Sequence, residues 1–280
     1  MQIAINAWTF PDGLSPEQRL AAAASAGFEG IELTLDADEA LHFDTPVETF
    51  AALARRANDA GLQVVSLATG EFWRTNYAAT DQAIRKRAVD LTLRMLDRAA
   101  ALEAGAILVV PAVVGTWDQP QPQVSYVDAL YRTFDALCRL RSEAESRGVT
   151  IALENVWNRF LLSPIEAVEL VDRVNSPHVG WYLDTGNVLA HGYPQDWIAT
   201  LAGRIQRVHV KDYDLARPGV AGFCALGEGS VDWPGVLAAL RQVGYAGPLT
   251  YEGCGDPTQV CRSLRSLVNG QPIRKEDAPR

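Results

Sequence analysis

Short aliphatic runs recur along the chain and alternate with Ala-rich segments that carry a helical hydrophobic pattern. The runs are nearly continuous in hydrophobicity and rich in β-branched residues, which is typical of parallel strands buried on both faces. Several runs follow a glycine, such as Gly27, Gly61 or Gly148, and glycine favours the left-handed position just past a helix end. The runs occupy residues 3–8, 30–35, 63–68, 106–111, 149–154, 179–184, 205–210 and 248–252.

Segments with helical periodicity lie between these runs, and a further one follows the last run. Ser15 and Ser163 each precede a proline, which is typical of an N-cap followed by the first helical residue. Eight strand–helix units predict an α/β protein, a single-domain (β/α)8 TIM barrel over residues 1–269 with a polar tail at 270–280. A doubly wound open sheet is the weaker alternative, because the loop FPDGLSP after the first run lacks a Gly-rich phosphate-binding sequence. The helical segments are 15–26, 47–60, 81–102, 126–146, 163–174, 193–203, 232–243 and a last one near 257–268.

Charge and cysteine content narrow the class of partner. The 280 residues carry a formal net charge of −9, and an acidic protein repels a phosphate backbone, so we expect no nucleic-acid partner. The four cysteines form no CxxC pair and are expected to be reduced thiols of a cytoplasmic protein. The chain shows neither a signal-peptide pattern nor an apolar stretch of about 18 residues, so we expect no membrane segment.

Four polar residues stand at the ends of four successive runs: Glu154, Asp184, His209 and Glu252. The active site of such a barrel forms at the carboxyl ends of its strands, so the four side chains are expected to converge. Three neighbouring carboxylates repel one another and are costly to bury unless a cation compensates them. Carboxylates with one imidazole suit Mn²⁺, Mg²⁺, Co²⁺ or Zn²⁺, and the oxygen-rich set favours Mn²⁺. A lone residue of this kind is more often a helix cap or a loop residue, so the prediction depends on all four together.

Four segments of the chain resemble the xylose isomerase-like barrel superfamily, and within it the sugar phosphate isomerase/epimerase group. The resemblance covers nearly the whole chain, and the last segment is similar to the C-terminal part of pentulose- and hexulose-phosphate 3-epimerases. In that family the residues at these strand ends bind one divalent metal ion, which implies that Glu154, Asp184, His209 and Glu252 are metal ligands here. The segments are ALENVWNRF (152–160), GWYLDTGNVLAHGYPQDWI (180–198), RVHVKDYD (207–214) and LGEGSVDWPGVLAALRQVGYAGPLTYEG (226–253).

Two departures from the family bear on function. Members that follow the strand-six aspartate with a histidine read DxxH, whereas Asn187 stands at that position here. An asparagine can bond a sugar hydroxyl but cannot supply an imidazole. The DNA-repair endonucleases of the same superfamily use several additional histidines to hold a metal cluster. This chain has four histidines in all, which together with its acidic charge argues against cleavage at apurinic sites.

The resemblance implies a sugar or sugar-phosphate isomerase or epimerase that removes a proton next to a carbonyl. The metal would polarise the carbonyl and stabilise the enediolate, while Glu154 and Glu252 would transfer the proton. Its return to the opposite face gives epimerisation, and its return to the neighbouring carbon gives ketose–aldose isomerisation. The alternative is a lyase on the same metal site, such as a keto-inositol dehydratase or an enzyme that eliminates a group from a 3-keto-glycoside. A non-catalytic sugar-binding barrel is a third hypothesis.

Substrate contacts are expected from polar and aromatic residues that follow the strands. Each candidate also has a purely structural alternative. Lys211 could form an ion pair with Asp212 or Asp214, the arginines could lie on the surface, and the tryptophans could pack in the core. Glu32 is expected either to bond a substrate hydroxyl or to form a buried ion pair below the site. Barrels of this size commonly pair, so a homodimer or homotetramer is expected. The candidates for substrate binding are Asn187, Lys211, Arg217, Trp8, Trp157 and Arg159.

Overall fold

Eight parallel strands form a closed barrel in this computed structural model, which describes residues 1–36 and 41–273. The strands are β1 (Ile3–Asn6), β2 (Gly30–Thr34), β3 (Gln63–Ala68), β4 (Ala106–Val109), β5 (Thr150–Glu154), β6 (Val179–Asp184), β7 (Ile205–Val210) and β8 (Leu249–Tyr251). They follow the barrel in chain order, and β1 pairs with β8 in the register Ile3 to Leu249, which closes the sheet. The predicted α/β (β/α)8 TIM barrel is therefore confirmed, and the open-sheet alternative is wrong.

In the part of the chain that the structure describes, eight helices alternate with the strands and cover the barrel. They are α1 (Pro16–Ala26), α2 (Val47–Asp59), α3 (Gln82–Ala101), α4 (Tyr126–Arg147), α5 (Pro164–Val174), α6 (Pro194–Leu201), α7 (Trp233–Gln242) and α8 (Pro257–Val268). Ser15 and Ser163 start α1 and α5 with capping boxes, in which the serine hydroxyl accepts a backbone N–H from Gln18 or Glu166. In return, the side-chain oxygen of Gln18 or Glu166 accepts the backbone N–H of the serine. Each capping box therefore satisfies two backbone donors at the start of its helix.

Two helices end at glycines in the left-handed conformation. Gly27 follows α1 with φ 92°, and Gly148 follows α4 with φ 65°. A β-carbon is disfavoured at these angles, so glycine allows the chain to leave the helix sharply and enter the next strand. The sequence pattern of glycine before a strand is explained by these turns.

The apolar core lies between the helices and the outer face of the barrel. Trp181 of β6 is fully buried there against Trp197 of α6, with ring centroids 5.9 Å apart. The inside of the barrel is different, because it contains the fully buried polar side chains of Asn6, Glu32 and His209. Buried polar groups are costly unless they are paired, so this polar layer indicates the level at which the site begins.

Among the short elements at the barrel mouth, two follow β6 and β7. A single helical turn, Thr185–Val188, follows β6 directly. An antiparallel hairpin of Asp212–Tyr213 and Phe223–Cys224 follows β7. Both lie at carboxyl ends of strands, where insertions shape the active site of this fold.

The described chain continues past α8, which ends at Val268. Residues 274–280 of the predicted tail lie outside the described residues. The division into a barrel at 1–269 and a tail at 270–280 therefore stays a prediction. Within residues 1–36 and 41–273, no helix combines the length and the hydrophobicity that a membrane crossing requires.

Candidate active site

Four side chains meet at the carboxyl ends of β5 to β8. Glu154 is the last residue of β5, Asp184 is the last residue of β6, His209 precedes the last residue of β7, and Glu252 follows β8. One ligand atom from each residue lies within 4.8 Å of those of the other three. Asp184 pairs with His209 in the register of β6 and β7, which sets these two residues at the same height. The structure thus brings together the four residues that the sequence singled out.

The imidazole of His209 is fully buried and has carboxylates on both sides. Its Nδ1 atom lies 3.0 Å from Glu154 Oε1 and 3.1 Å from Glu252 Oε2. Its Nε2 atom lies 2.6 Å from Glu32 Oε1. A proton on Nε2 is therefore held by Glu32, while Nδ1 lies within hydrogen-bond distance of the other two carboxylates.

Glu32 lies inside the barrel beneath this cluster. Its Oε2 atom accepts hydrogen bonds from the hydroxyl oxygens of Ser66 and Tyr182, at 2.6 Å and 2.8 Å. Its Oε1 atom accepts a hydrogen bond from the side-chain amide nitrogen of Asn6, at 2.5 Å. Burial raises the pKa of a carboxyl, but the charge of His209 and the bonds from Ser66 and Tyr182 outweigh it. The pKa of Glu32 therefore lies below its ordinary value. Of the two alternatives for Glu32, the buried ion pair is the one observed.

Lys211 extends its ammonium group into the cluster. Its Nζ atom lies 2.7 Å from Glu252 Oε2 and 3.2 Å from Asp184 Oδ2. Burial lowers the pKa of an ammonium, but these two carboxylates outweigh it and hold the pKa of Lys211 well above its ordinary value. The alternative in which Lys211 pairs with Asp212 or Asp214 is not the one observed.

Glu154 and Glu252 experience different surroundings. Burial, with the neighbouring carboxylates of Glu252 and Asp184, raises the pKa of Glu154 to about 7, although His209 opposes the shift. Burial acts on Glu252 in the same direction, but the charges of Lys211 and His209 outweigh it and hold the pKa of Glu252 well below its usual range. Carboxyl groups whose pKa values are pushed apart in this way are typical of acid–base pairs.

The donor set of the cluster fits a divalent metal ion. Asp184 Oδ2 and Glu252 Oε2 are buried carboxylate oxygens, and both face the ammonium of Lys211. Three carboxylates and one imidazole form an oxygen-rich set of the kind that divalent ions prefer. The second nitrogen of His209 is bonded to Glu32, which is the usual arrangement for a metal-binding histidine. The cluster can therefore hold a metal ion.

Asn155 fixes β6 against β5 at the level of the cluster. Its amide group donates to the Asp184 carbonyl at 2.8 Å, and its side-chain oxygen accepts the Asp184 N–H at 3.0 Å and the Trp181 indole at 3.1 Å. Asp184 Oδ1 in turn accepts the backbone N–H of Asn187 at 2.7 Å, which leaves Oδ2 for Lys211. The sequence analysis did not select Asn155. Its position directly after Glu154, the last residue of β5, was a signal that its side chain could lie at the site.

A cleft of about 450 Å³ opens above the cluster. Glu154 and Glu252 line it, as do four of the predicted substrate-binding residues: Trp8, Trp157, Asn187 and Lys211. Other lining residues come from loops after the strands, where no periodic pattern fixes their positions, and the sequence did not predict them. They include Thr69, Thr116, Trp117, Asp118, Val220 and Phe223.

Two tryptophans of the cleft are held by hydrogen bonds. The indole N–H of Trp157 donates to the Asn187 carbonyl at 3.2 Å, and its ring stacks on Phe223 with centroids 5.0 Å apart. The indole N–H of Trp8 donates to Asp36 at 2.9 Å. These contacts fix the rings in place while the rest of each indole lines the cleft, as a sugar-stacking wall requires.

The two predicted arginines occupy different places. Arg159 lines a second compartment beside the cleft. Arg217 is 66% exposed, forms an ion pair with Asp214 at 3.2 Å, and is not among the described residues that line either space. The substrate role of Arg217 stays a prediction.

Residues 20–270 match the family model described as xylose isomerase-like TIM barrel. The chain belongs to this family. The family predicted from the motifs at the strand ends is therefore confirmed.

Sugar epimerases are among the proteins to which this family member is similar. L-ribulose-5-phosphate 3-epimerase UlaE of Salmonella paratyphi C is 27% identical over 241 residues, which cover 84% of this chain and 81% of that protein. D-psicose 3-epimerase superposes with a TM-score of 0.76 at 21% identity, covering 99% of this chain and 94% of the other. The 3-keto-D-glucoside 4-epimerase YcjR from E. coli has a TM-score of 0.76 at 19% identity, with coverage of 96% and 99%. The structural likeness shows the shared fold. Epimerases are isomerases, so the predicted enzyme class is confirmed at this level.

Proposed function

We propose that this chain is a divalent-metal-dependent sugar epimerase or isomerase that moves a proton on the carbon next to a carbonyl. The observation that carries the proposal is the convergence of Glu154, Asp184, His209 and Glu252 within 4.8 Å of one another beside the cleft. The sequence relation to L-ribulose-5-phosphate 3-epimerase supports a ketose or a close relative as the substrate.

The four clustered residues would hold the ion, with Mn²⁺ preferred by an oxygen-rich donor set. When bound, the ion supplies a Lewis acid that polarises the substrate carbonyl. Glu32 orients His209 through Nε2, and Asn155 orients Asp184 through its backbone. Both neighbours keep the donor atoms directed at one point without touching the substrate.

Glu154 and Glu252 would move the proton. Both carboxylates line the cleft, and they come from β5 and β8, which are separated in the barrel by β6 and β7. A substrate held between them presents a different face to each. One carboxylate removes the proton, and the other returns a proton to the opposite face for epimerisation or to the neighbouring carbon for isomerisation. Proton transfer by a positioned group contributes roughly 10²–10⁴-fold to the rate.

We expect Glu154→Gln and Glu252→Gln each to lower solvent deuterium exchange by about 10²-fold or more, because glutamine keeps the size of the side chain but cannot accept the proton. The Mn²⁺-loaded protein is incubated in deuterated water with D-fructose or L-ribulose 5-phosphate, and NMR follows the carbon next to the carbonyl. Circular dichroism verifies that the barrel is folded.

The matched control is Glu169→Gln, which changes an exposed glutamate on α5 and should leave exchange intact. Near-normal exchange in either site variant would refute the two-base scheme. Loss of water or of a substituent from the sugar, in place of simple exchange, would instead indicate the lyase.

A further inference from the structure

A second compartment of about 560 Å³ lies beside the cleft, and the two spaces share Trp117 and Trp157. We name it the outer compartment, and its other walls include Leu162, Ala190 and Tyr213. Sites for small molecules commonly have volumes of about 300–1,000 Å³, so each space is large enough for a ligand by itself. Two neighbouring spaces of this size, which share two tryptophans, suit a ligand made of two parts.

Exposed apolar side chains gather around both spaces. Trp8, Trp73, Trp117, Leu162 and Val220 are between 37% and 59% exposed, and each lines the cleft or the outer compartment. Large apolar groups that remain in contact with water around a concave site indicate a binding surface. Flat aromatic rings offer contact area to sugar faces and to other rings.

The charges that line the cleft disfavour a phosphate group. Asp118, Glu154 and Glu252 contribute carboxylates to its walls. Lys211 is the cation among the described lining residues, and its ammonium already faces Asp184 and Glu252. A phosphate group in the cleft would therefore meet no unpaired cationic side chain among the described lining residues.

The outer compartment is also poorly equipped for phosphate. Arg159 is the one arginine among the described residues that line it. Its Nε atom already donates a hydrogen bond to the Thr116 carbonyl at 3.1 Å. His191 also lines this compartment, and desolvation lowers the pKa of its imidazole. Phosphate sites usually surround the anion with several strong donors, whereas most of this wall is aromatic or aliphatic.

We propose that the substrate is an unphosphorylated keto-glycoside. Its keto sugar ring occupies the cleft beside Glu154 and Glu252, and its neutral aglycone lies in the outer compartment next to Trp117 and Trp157. This inference rests on the proposed function, because it names the substrate class of the same site. It distinguishes the chain from the related epimerase whose name specifies a sugar phosphate.

Three probes test this assignment: D-fructose, D-fructose 6-phosphate and 4-nitrophenyl 3-keto-β-D-glucoside. Calorimetry measures the Kd of each for the Mn²⁺-loaded protein, and NMR measures deuterium exchange. We expect the Kd of the keto-glycoside to be about tenfold or more below that of D-fructose, and the phosphate ester to bind no more tightly than D-fructose. Binding of the phosphate ester as tight as, or tighter than, that of the keto-glycoside would overturn the proposal.

A variant tests the position of the aglycone. Ala190→Phe adds bulk to an exposed residue of the outer compartment and should lower the ratio of kcat/KM for the keto-glycoside over D-fructose by about tenfold. Glu169→Gln should leave this ratio intact. An unchanged ratio in Ala190→Phe would overturn the placement. If no probe exchanges deuterium, the proposed function fails, but the order of the three Kd values still decides the substrate class.

Discussion

Single residues around His209 determine how the cluster presents its donor atoms. Glu32 is fully buried, contacts Nε2 of His209, and is itself bonded to Ser66 and Tyr182. It is not among the described residues that line the cleft, so it acts on the site through the imidazole. Glu32 is therefore a positioning residue that selects which nitrogen of His209 carries a proton.

Replacing Glu32 tests this role. Glu32→Gln keeps the volume of the side chain but removes the charge that stabilises the proton on Nε2. We expect the affinity for Mn²⁺ to fall by about 10–100-fold, the usual effect of losing such a partner. Calorimetric titration with Mn²⁺ measures it, with Glu48→Gln on the exposed side of α2 as the control. Unchanged affinity in Glu32→Gln would mean that Glu32 only fills space.

The loop between β7 and α7 is organised by one carboxylate. Asp212 is buried, and its Oδ2 atom accepts the backbone N–H groups of Gly227 at 2.8 Å and Gly229 at 3.2 Å and the indole of Trp233 at 3.0 Å. Its Oδ1 atom accepts the N–H of Val231 at 3.3 Å. Asp212 is also the first residue of the hairpin and directly follows Lys211, whose ammonium lies in the cluster. The carboxylate of Asp212 therefore joins the loop to the strand end that carries Lys211.

Truncation of Asp212 should be costly for the whole loop. Asp212→Ala leaves several donors without a partner, and each buried unpaired donor costs about 1–3 kcal/mol. We expect the free energy of unfolding to fall by about 2 kcal/mol or more, as measured by urea denaturation. Asp214→Ala is the control, because its ion pair with the exposed Arg217 is worth only about 0–1 kcal/mol. Equal losses in the two variants would contradict the role of Asp212.

At the scale of the molecule, the cluster joins strands across half of the barrel. Its four members come from β5, β6 and β7 and from the residue after β8. An ion held by these residues would contact all four segments at once, and the unfolded chain does not keep these groups together. Binding that favours the folded state raises its stability through mass action.

Metal removal should therefore lower the melting temperature. At an ion concentration about 100 times the Kd, binding adds about 2.7 kcal/mol, and a difference of roughly 5 °C in Tm between the Mn²⁺-loaded and the chelator-treated protein is expected. Scanning calorimetry measures this difference. Asp184→Asn should abolish it, because the variant lacks one of the carboxylate ligands. If the unaltered protein has the same Tm with Mn²⁺ and after chelator treatment, the prediction of a metal site is wrong.

The sequence by itself determined the order of the elements, the barrel and the four residues that converge. These features depend on local patterns: apolar runs of strand length, helical periodicity, capping serines and a polar residue where each late strand ends. In a parallel barrel all strand ends of one kind meet at one mouth, so Glu154, Asp184, His209 and Glu252 could be placed together without knowledge of any contact.

Only the tertiary structure decided which groups surround these four residues. Glu32 and His209 are 177 positions apart, and Glu32 and Tyr182 are 150 positions apart, so their contacts depend on how the strands are staggered around the closed barrel. Lys211 reaches Asp184 and Glu252 for the same reason. The outer compartment is formed by loops, and the conformation of a loop depends on what it packs against more than on a repeating pattern of its residues.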